Sequence, residues 1–500
     1  MSKTRILFIA AAALTGACGA RTTVPTRTAP GPAPTVSTAR IAQGVDLSTG
    51  LQRDTLVAAA VADIDPAHIR RTDSVLVSFG TRNTFSDTLS KTRGIGAARR
   101  WIHEQFDQYS RDCGGCLRTE YYGKVQEVRR TAGRDTIIRT ANIVDVLAWL
   151  PGRDTTHVVV ITGHYDSCVC AATSAFDSTA DAPGADDDGS GTSAIIELAR
   201  VFSKRYPKGL HASIIFAAVA AEEQGLYGSR QLAERLHEQG YKVVAGMTDD
   251  IVGNTTAEDG TTDSTSMRIF AADPDNSPSR ELGRYVWALD RVYLPNFEVL
   301  PVWRLDRIGR GGDHEPYVSL GDAGLRFTER VENYNRQHLP TDDLAHVNFR
   351  YVANVARVNA MTVASLAGAP ATPANARARR QGRAGVDTAG ATARAPSSGG
   401  QAWTLSWDAS PDAVGYELLI RRTTSPTWEE LVPLGNVTRC TLKRQLDDEW
   451  AGVRAVGANG ARSMAASMPA PNPPRGTTGT RPAAPRAAQP AGPPPPACGG

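Results

Sequence analysis

Hydrophobic and polar positions follow two regimes along the chain, and the change falls near Leu117. Before it, apolar residues recur at helical spacing. Ile95, Ala98, Ile102, Phe106 and Tyr109 lie three or four apart and predict one buried helix face. After it, short apolar runs bounded by turn residues take over. Residues 142–150 and 158–161 read as strands, the second buried on both faces. Residues 193–202 read as helix, 211–219 as a buried strand, 227–239 as a helix stopped at Gly240, and 243–252 as strand. Residues 348–366 close this region as a helix. Strands alternating with helices predict an α/β fold, a mixed, largely parallel sheet sandwiched by helices. Beyond about Gly400 strands return without helices, at 403–408, 416–421, 440–442 and 450–456. Their spacing predicts a small C-terminal β-sandwich.

Composition refines these boundaries. Residues 1–20 read as a signal peptide: Lys3 and Arg5 precede an apolar run, 6–13, too short to span a bilayer. Leu14-Thr15-Gly16-Ala17-Cys18 resembles a bacterial lipoprotein cleavage site, with Cys18 as the lipid-bearing residue. Thr15 stands where Leu is usual, and an ordinary cut near Ala20 is the other reading. Both readings predict an exported chain, at the outer membrane or cell surface, in the periplasm, or secreted. Any membrane attachment would run through that anchor alone. Residues 21–45 are rich in Thr, Pro and Ala and read as a disordered tether. The main domain spans 46–367, a linker or the start of the next module 368–400, the β-module 401–467, and a Pro/Ala-rich tail 468–500.

At 500 residues and 41% hydrophobic, the chain can bury a sizeable core in two or more units. A net charge of +3 offers no field for nucleic acid. Among seven cysteines, Cys113 with Cys116 and Cys168 with Cys170 form two tight pairs. An oxidising compartment favours disulfides over zinc for these thiols. Pairing within or across the two pairs stays open.

Five short stretches carry candidate chemistry. Gly163-His164-Tyr165-Asp166 follows a buried strand, and ligand sites in open α/β sheets lie beyond the carboxyl ends of strands. On extended chain His164 and Asp166 point the same way, so the carboxylate can fix the imidazole tautomer. Asp186, Asp187 and Asp188 precede a helix, where one carboxylate suffices as a cap and three repel. Glu222 and Glu223 end a buried strand, a costly place unless they are paired or metal-bound. Asp249-Asp250 ends another strand-like run, and His338 sits in Asn335-Arg336-Gln337-His338-Leu339-Pro340-Thr341-Asp342. Taken singly, a histidine is more often structural and an acidic pair more often a solvated turn. Together, two histidines and three carboxylates make a donor set that zinc accepts.

In this order the motifs resemble those of peptidase family M28, the bacterial leucyl-type aminopeptidases and their relatives, over about residues 80 to 366. They are Gly163 to Ser167, Pro183 to Gly191, Ala221 to Gly225, Asp250 to Gly253 and Asn335 to His338, with shorter echoes at Gly228-Ser229 and Gly312-Asp313-His314. The resemblance implies the zinc-peptidase fold and two zinc ions, with other divalent metals as alternatives. Asp187 would bridge the ions, His164 and Asp250 would complete one site, and Glu223 and His338 the other. Asp166 would orient His164, and Glu222 would be the general base. Peptides with a free N-terminus are the implied substrates. Asp250 is preferred to Asp249 because the family's aspartate precedes an apolar pair and a glycine. Gly312 replaces a usual serine, without touching the catalytic set. Cys168 and Cys170 fall in the loop over the mouth of the implied site. The C-terminal module resembles a fibronectin type III domain through Trp407, Tyr416, Val453 to Val456 and Asn459-Gly460.

Other readings differ in testable features. A glutaminyl cyclase would share the fold, use one working zinc and cyclise an N-terminal glutamine. Such cyclases lack the full Asp186-Asp187-Asp188-Gly-Ser-Gly stretch and carry an insertion after the glutamate pair. This chain runs directly from Glu223 to Gly228-Ser229. A carboxypeptidase or dipeptidase of the same family is a further alternative. An inactive binding protein on this fold would have lost a ligand or the base, and none is lost.

Overall fold

Alternating side chains of the central strands divide between two hydrophobic cores, one on each face of a sheet. On the strand ending at His164, Val159 and Ile161 enter the larger core while Val158 and Val160 enter the smaller. The next strand repeats the division, with Ile214, Phe216 and Ala218 on one side and Ile215, Ala217 and Val219 on the other. This two-faced burial is why both strands read as continuous apolar runs. A computed structural model describes residues 45–46, 50–132, 135–171, 174–381, 402–469 and 497–498. The expected signal peptide, most of the tether, 382–400 of the linker and 470–496 of the tail lie outside the described residues.

A short antiparallel pair, β1 (Val45–Asp46) and β2 (Leu51–Gln52), leads into helices α1 (Thr55–Ala62), α2 (Pro66–Ser78) and α3 (Ile95–Asp112). The Asp54 and Asp65 side chains accept N–H groups of the first turns of α1 and α2. Then follow β3 (Arg118–Ala132), β4 (Asp135–Leu150), β5 (Asp154–His164), α4 (Gly191–Arg205), β6 (Ala212–Val219), α5 (Tyr227–Glu238) and β7 (Lys242–Asp249). The domain continues through β8 (Ser266–Ala271), α6 (Pro278–Tyr293), β9 (Glu298–Val302), α7 (Glu315–Ser319), β10 (Gly324–Glu329) and α8 (Phe349–Gly368). The sheet has eight strands in the order β3-β4-β6-β5-β7-β10-β8-β9. Its centre, β6-β5-β7-β10, is parallel, β8 and β9 are parallel, and the remaining pairs are antiparallel. The fold is therefore the mixed, largely parallel sheet expected from the alternation. Helices α4 and α8 pack on the larger core, α5 and α7 on the smaller. Among the described residues no helix is long and apolar enough to cross a membrane.

One carboxylate of this core carries a pH dependence. Asp290 of α6 is buried, accepts the Val299 N–H at 3.1 Å through Oδ2 and leaves Oδ1 without a partner. Burial pushes its carboxyl up to about 8, with Glu298 adding to the push and Arg291 opposing it. An unfolded aspartate titrates near 3.9. Between those values the folded chain holds a proton that the unfolded chain releases. The stability from this group is thus full below about pH 4 and is lost as pH rises through 8. Asp290→Asn is expected to remove a slope of up to about 1.4 kcal/mol per pH unit. Denaturant midpoints at pH 5, 6.5 and 8 check this; an unchanged slope would contradict it.

The C-terminal module consists of β11 (Arg377–Arg380), β12 (Ala402–Ser406), β13 (Ala413–Arg422), β14 (Glu430–Gly435), β15 (Arg439–Lys443), β16 (Glu449–Gly457) and β17 (Ala466–Ser467). Two antiparallel sheets, β11-β12-β15 and β14-β13-β16-β17, enclose Trp403, Trp407, Tyr416, Leu418 and Val453. Its first strand lies at 377–380, inside the stretch expected to be linker or module start. Cys498 in the expected tail is bonded to Cys440. The module docks on α6. Trp428 Nε1 donates to Glu281 at 3.0 Å, Ser467 donates to the other oxygen of Glu281 at 2.6 Å, and Arg421 pairs with Asp275 at 2.7 Å.

Candidate metal centre

Three adjacent strands, β6, β5 and β7, end at Val219, His164 and Asp249, so the residues at and just beyond their ends converge at one edge of the sheet. His164 is fully buried. Its Nε2 lies 3.1 Å from Asp187 Oδ1 and 4.0 Å from Asp250 Oδ1. Its Nδ1 lies 3.6 Å from Asp166 Oδ1 and 3.2 Å from the Asp166 carbonyl. The other oxygen of Asp187, Oδ2, lies 3.0 Å from His338 Nε2, which is 3.2 Å from Glu223 Oε2. Asp187 therefore stands between two groups, His164 with Asp250 on one side and His338 with Glu223 on the other. Asp249 takes no part: its carboxylate accepts from Asn359 of α8.

Each of the three consecutive aspartates has its own task. Asp186 Oδ1 accepts the Gly253 N–H at 2.7 Å, which ties the loop to the turn after Asp250. Asp188 accepts the N–H of Gly191, the first residue of α4, at 2.9 Å, and that of His164 at 3.0 Å. Asp188 thus binds backbone N–H groups of both flanking elements, and Asp187 is left to face the histidines. The peptide between Asp187 and Asp188 is cis. Asp342 accepts the N–H groups of Asp186 and Asp187 at 2.8 and 3.0 Å and so holds this loop beside His338.

The glutamate pair is positioned by the same carboxylate that meets His164. Asp166 accepts the Glu222 N–H at 3.2 Å and the Glu223 N–H at 3.4 Å. Asp145 of β4 accepts the Ala220 N–H at 3.1 Å and fixes the end of β6. A side chain at Gly228 would strike Asp145 Oδ1 and the Ala220 carbonyl at 2.4 Å, which accounts for the glycine in the Gly228-Ser229 echo. Ala221, Ile251 and His338 adopt φ of 60°, 52° and 58°. Left-handed backbone at non-glycine residues costs roughly 1–3 kcal/mol each and clusters at functional sites. Here it occurs next to Glu222, next to Asp250 and at His338 itself.

The electrostatics match a cation site. Burial works to lower the His164 pKa, but Asp166 and Asp187 outweigh it and hold the ring well above its usual value. Glu223 first, and then Asp187, push His338 up to about 11 against the effect of burial. Burial would raise the Asp187 carboxyl, yet the two imidazoles hold it well below the carboxylate range. Burial drives the half-buried Glu222 well above that range. A field that keeps protons on both imidazoles also favours divalent cations there. Two buried atoms, His164 Nε2 and Glu223 Oε1, have no hydrogen-bond partner. Nitrogen and carboxylate donors in this mixture fit zinc. The donor atoms of His164, Asp187 and Asp250 lie within 4.8 Å of one another, as do those of Glu223, His338, Cys168 and Cys170.

Sequence reasoning missed the supports of this site. Arg326 of β10 is fully buried, 2.8 Å from Asp250 Oδ1 and 3.3 Å from Asp306 Oδ2. Arg82 donates to the carbonyls of Tyr165, Pro183 and Gly184 and so joins the two loops that carry His164 and Asp187. Neither arginine lies in a motif. Asp342 does stand in the quoted run after His338, where its spacing was the available signal. Arg326→Met is expected to destabilise the protein by about 3–5 kcal/mol, because Asp250 loses its buried counter-charge and Asp306 is left with Arg307 alone. Urea unfolding measures this, and a loss below about 1 kcal/mol would contradict it. His314 of the other echo stays apart from both donor groups, with Nε2 2.8 Å from the Leu305 carbonyl. The cysteines pair within their tight pairs, Cys113 with Cys116 and Cys168 with Cys170.

A mixed sheet with a histidine and carboxylate donor set beyond its central strand ends is an arrangement suited to zinc. A sequence pattern described as peptidase family M28 matches residues 145–363. A probable zinc metalloprotease of Pyricularia oryzae is 38% identical over 445 residues, covering 83% of this chain and 84% of its own. One from Leptosphaeria maculans is 36% identical over 437 residues, covering 82% and 96%. The crystal structure of the Legionella pneumophila LapA aminopeptidase has the same fold, with a TM-score of 0.50 at 22% identity over 69% of this chain and 80% of that one. The chain belongs to peptidase family M28 and is a zinc metallopeptidase.

Proposed function

We propose that the protein is an exported aminopeptidase that holds two zinc ions and removes N-terminal residues from peptides. The observation that carries the reading is Asp187, whose two oxygens face His164 at 3.1 Å and His338 at 3.0 Å. A carboxylate so placed can serve two ions. His164 and Asp250 would complete one set of ligands, and Glu223 and His338 the other. Bound there, the ions would supply Lewis acidity toward a water and the scissile carbonyl.

The remaining work falls to the chain. Asp166 fixes the His164 ring through its own backbone carbonyl, 3.2 Å from Nδ1, and the backbone of both glutamates through its two carboxylate oxygens. Glu222 accepts the proton of the attacking water and delivers it to the leaving amine. Preference for a free N-terminus rests on the motif resemblance. Export rests on the first twenty residues, and three disulfides are compatible with an oxidising compartment. The C-terminal module is read as a fibronectin type III-like spacer whose docking on α6 steadies the peptidase domain.

The test is hydrolysis of a panel of aminoacyl-anilides and their N-acetylated counterparts, before and after chelation and zinc replacement. Cleavage confined to free-amino substrates, lost with chelator and restored by zinc, is expected. Cleavage of blocked or carboxy-terminal substrates, or cyclisation of N-terminal glutamine, would overturn the aminopeptidase reading.

A further inference from the structure

The Cys168–Cys170 disulfide lies against one half of the metal centre. Cys170 Sγ is 3.6 Å from Glu223 Oε2, the oxygen that faces His338 at 3.2 Å. Both sulfurs, a Glu223 oxygen and a His338 nitrogen lie within 4.8 Å of one another. The loop is pinned there, because Ala171 donates its N–H to the His338 carbonyl at 3.2 Å. Cys168 is buried, and Glu223 Oε1, also buried, has no hydrogen-bond partner.

We propose that reduction of this disulfide creates a four-ligand zinc site at the Glu223 half of the centre, in which Cys168 and Cys170 join Glu223 and His338 and take the place of the Asp187 oxygen. The inference rests on the reading of Glu223 and His338 as metal ligands. Thiolate, imidazole and carboxylate are all zinc donors, and four protein ligands make a closed, structural type of site. Catalytic zinc instead keeps a position open for water or substrate. The reduced protein therefore holds this ion tightly and in a form unfit for hydrolysis. The chemistry balances with a dithiol as reductant. The S–S bond of Cys168 and Cys170 takes up two electrons and two protons as the dithiol closes to its own disulfide. Binding of both sulfurs as thiolates then releases the two protons to solvent.

The experiment uses the full chain loaded with cobalt(II) in place of zinc, with metal content measured before and after treatment with dithiothreitol. The oxidised protein shows no sulfur-to-cobalt charge-transfer band. The reduced protein is expected to show one, to retain it in Cys113→Ser/Cys116→Ser and to lose it in Cys168→Ser/Cys170→Ser. Absence of the band after thiol counting has verified reduction, in a protein that bound cobalt while oxidised, overturns this proposal alone. An oxidised protein that binds no cobalt overturns the underlying metal-site reading as well. A second readout needs no variant. Bound zinc is expected to slow alkylation of Cys168 and Cys170 in the reduced wild type by at least about tenfold, scored on their tryptic peptide. Equal rates with and without zinc contradict the proposal.

Discussion

The Asp187→Asn protein is expected to bind at most one zinc ion per chain and to cleave aminoacyl-anilides about four orders of magnitude more slowly than wild type. The size follows from what the carboxylate does. Each of its oxygens faces a different histidine, at 3.1 and 3.0 Å, and both imidazoles lower its pKa, so the charge of Asp187 is shared by both halves of the site. Asparagine keeps the shape and offers one neutral oxygen. Loss of Lewis acid assistance is worth several kcal/mol, and 1.36 kcal/mol is tenfold in rate, so about 5 kcal/mol gives the stated drop. The loop itself should survive, because its backbone is held by Asp342, Asp186 and Asp188 rather than by Asp187. Metal content by mass spectrometry, alongside kcat/KM, separates this account from simple misfolding. A variant with two zinc ions and activity within about tenfold of wild type would mean that Asp187 does not bridge.

The Glu222→Gln protein is expected to keep its zinc and its thermal stability while kcat falls by about 10²–10⁴-fold, the range for a positioned general base. Glu222 is half-buried, and its backbone N–H, not its side chain, is what Asp166 holds. Glutamine therefore removes proton transfer without disturbing the turn. The neighbouring Glu223→Gln protein should behave differently: that carboxylate lies 3.2 Å from His338 Nε2, so metal is lost together with rate. Zinc content of the two variants, measured on the same preparations as kcat, tests the division of labour. Equal metal loss in both would assign Glu222 to binding instead.

The parts of the site that chain order announces are those where a strand end and a donor coincide. His164 ends β5, Glu222 and Glu223 follow β6, and Asp250 follows β7, and each strand reads as a short apolar run. The parts it conceals are long-range. Arg326 meets Asp250 from another strand, 76 residues away, and Arg82 reaches the Gly184 carbonyl across 102 residues. No local pattern marks either arginine, because its partners are assembled by the fold. The same reason hid β3, the outer member of a hairpin with many exposed polar positions. It also hid the docking of the C-terminal module, where Trp428 of a loop meets Glu281 of α6. The three aspartates illustrate the boundary between the two cases. Their run is conspicuous in sequence, but only the structure shows Asp186 tying a turn, Asp188 holding the N–H of Gly191 and Asp187 facing both histidines.

In the proposed enzyme two metal ions share Asp187. Anomalous diffraction at the zinc edge, on crystals of the full chain grown with excess zinc, tests it most directly. Two peaks about 3.5–4 Å apart are expected, one against His164 and Asp250 and the other against Glu223 and His338, with an Asp187 oxygen on each. A single peak, or two peaks of which only one touches Asp187, would contradict it.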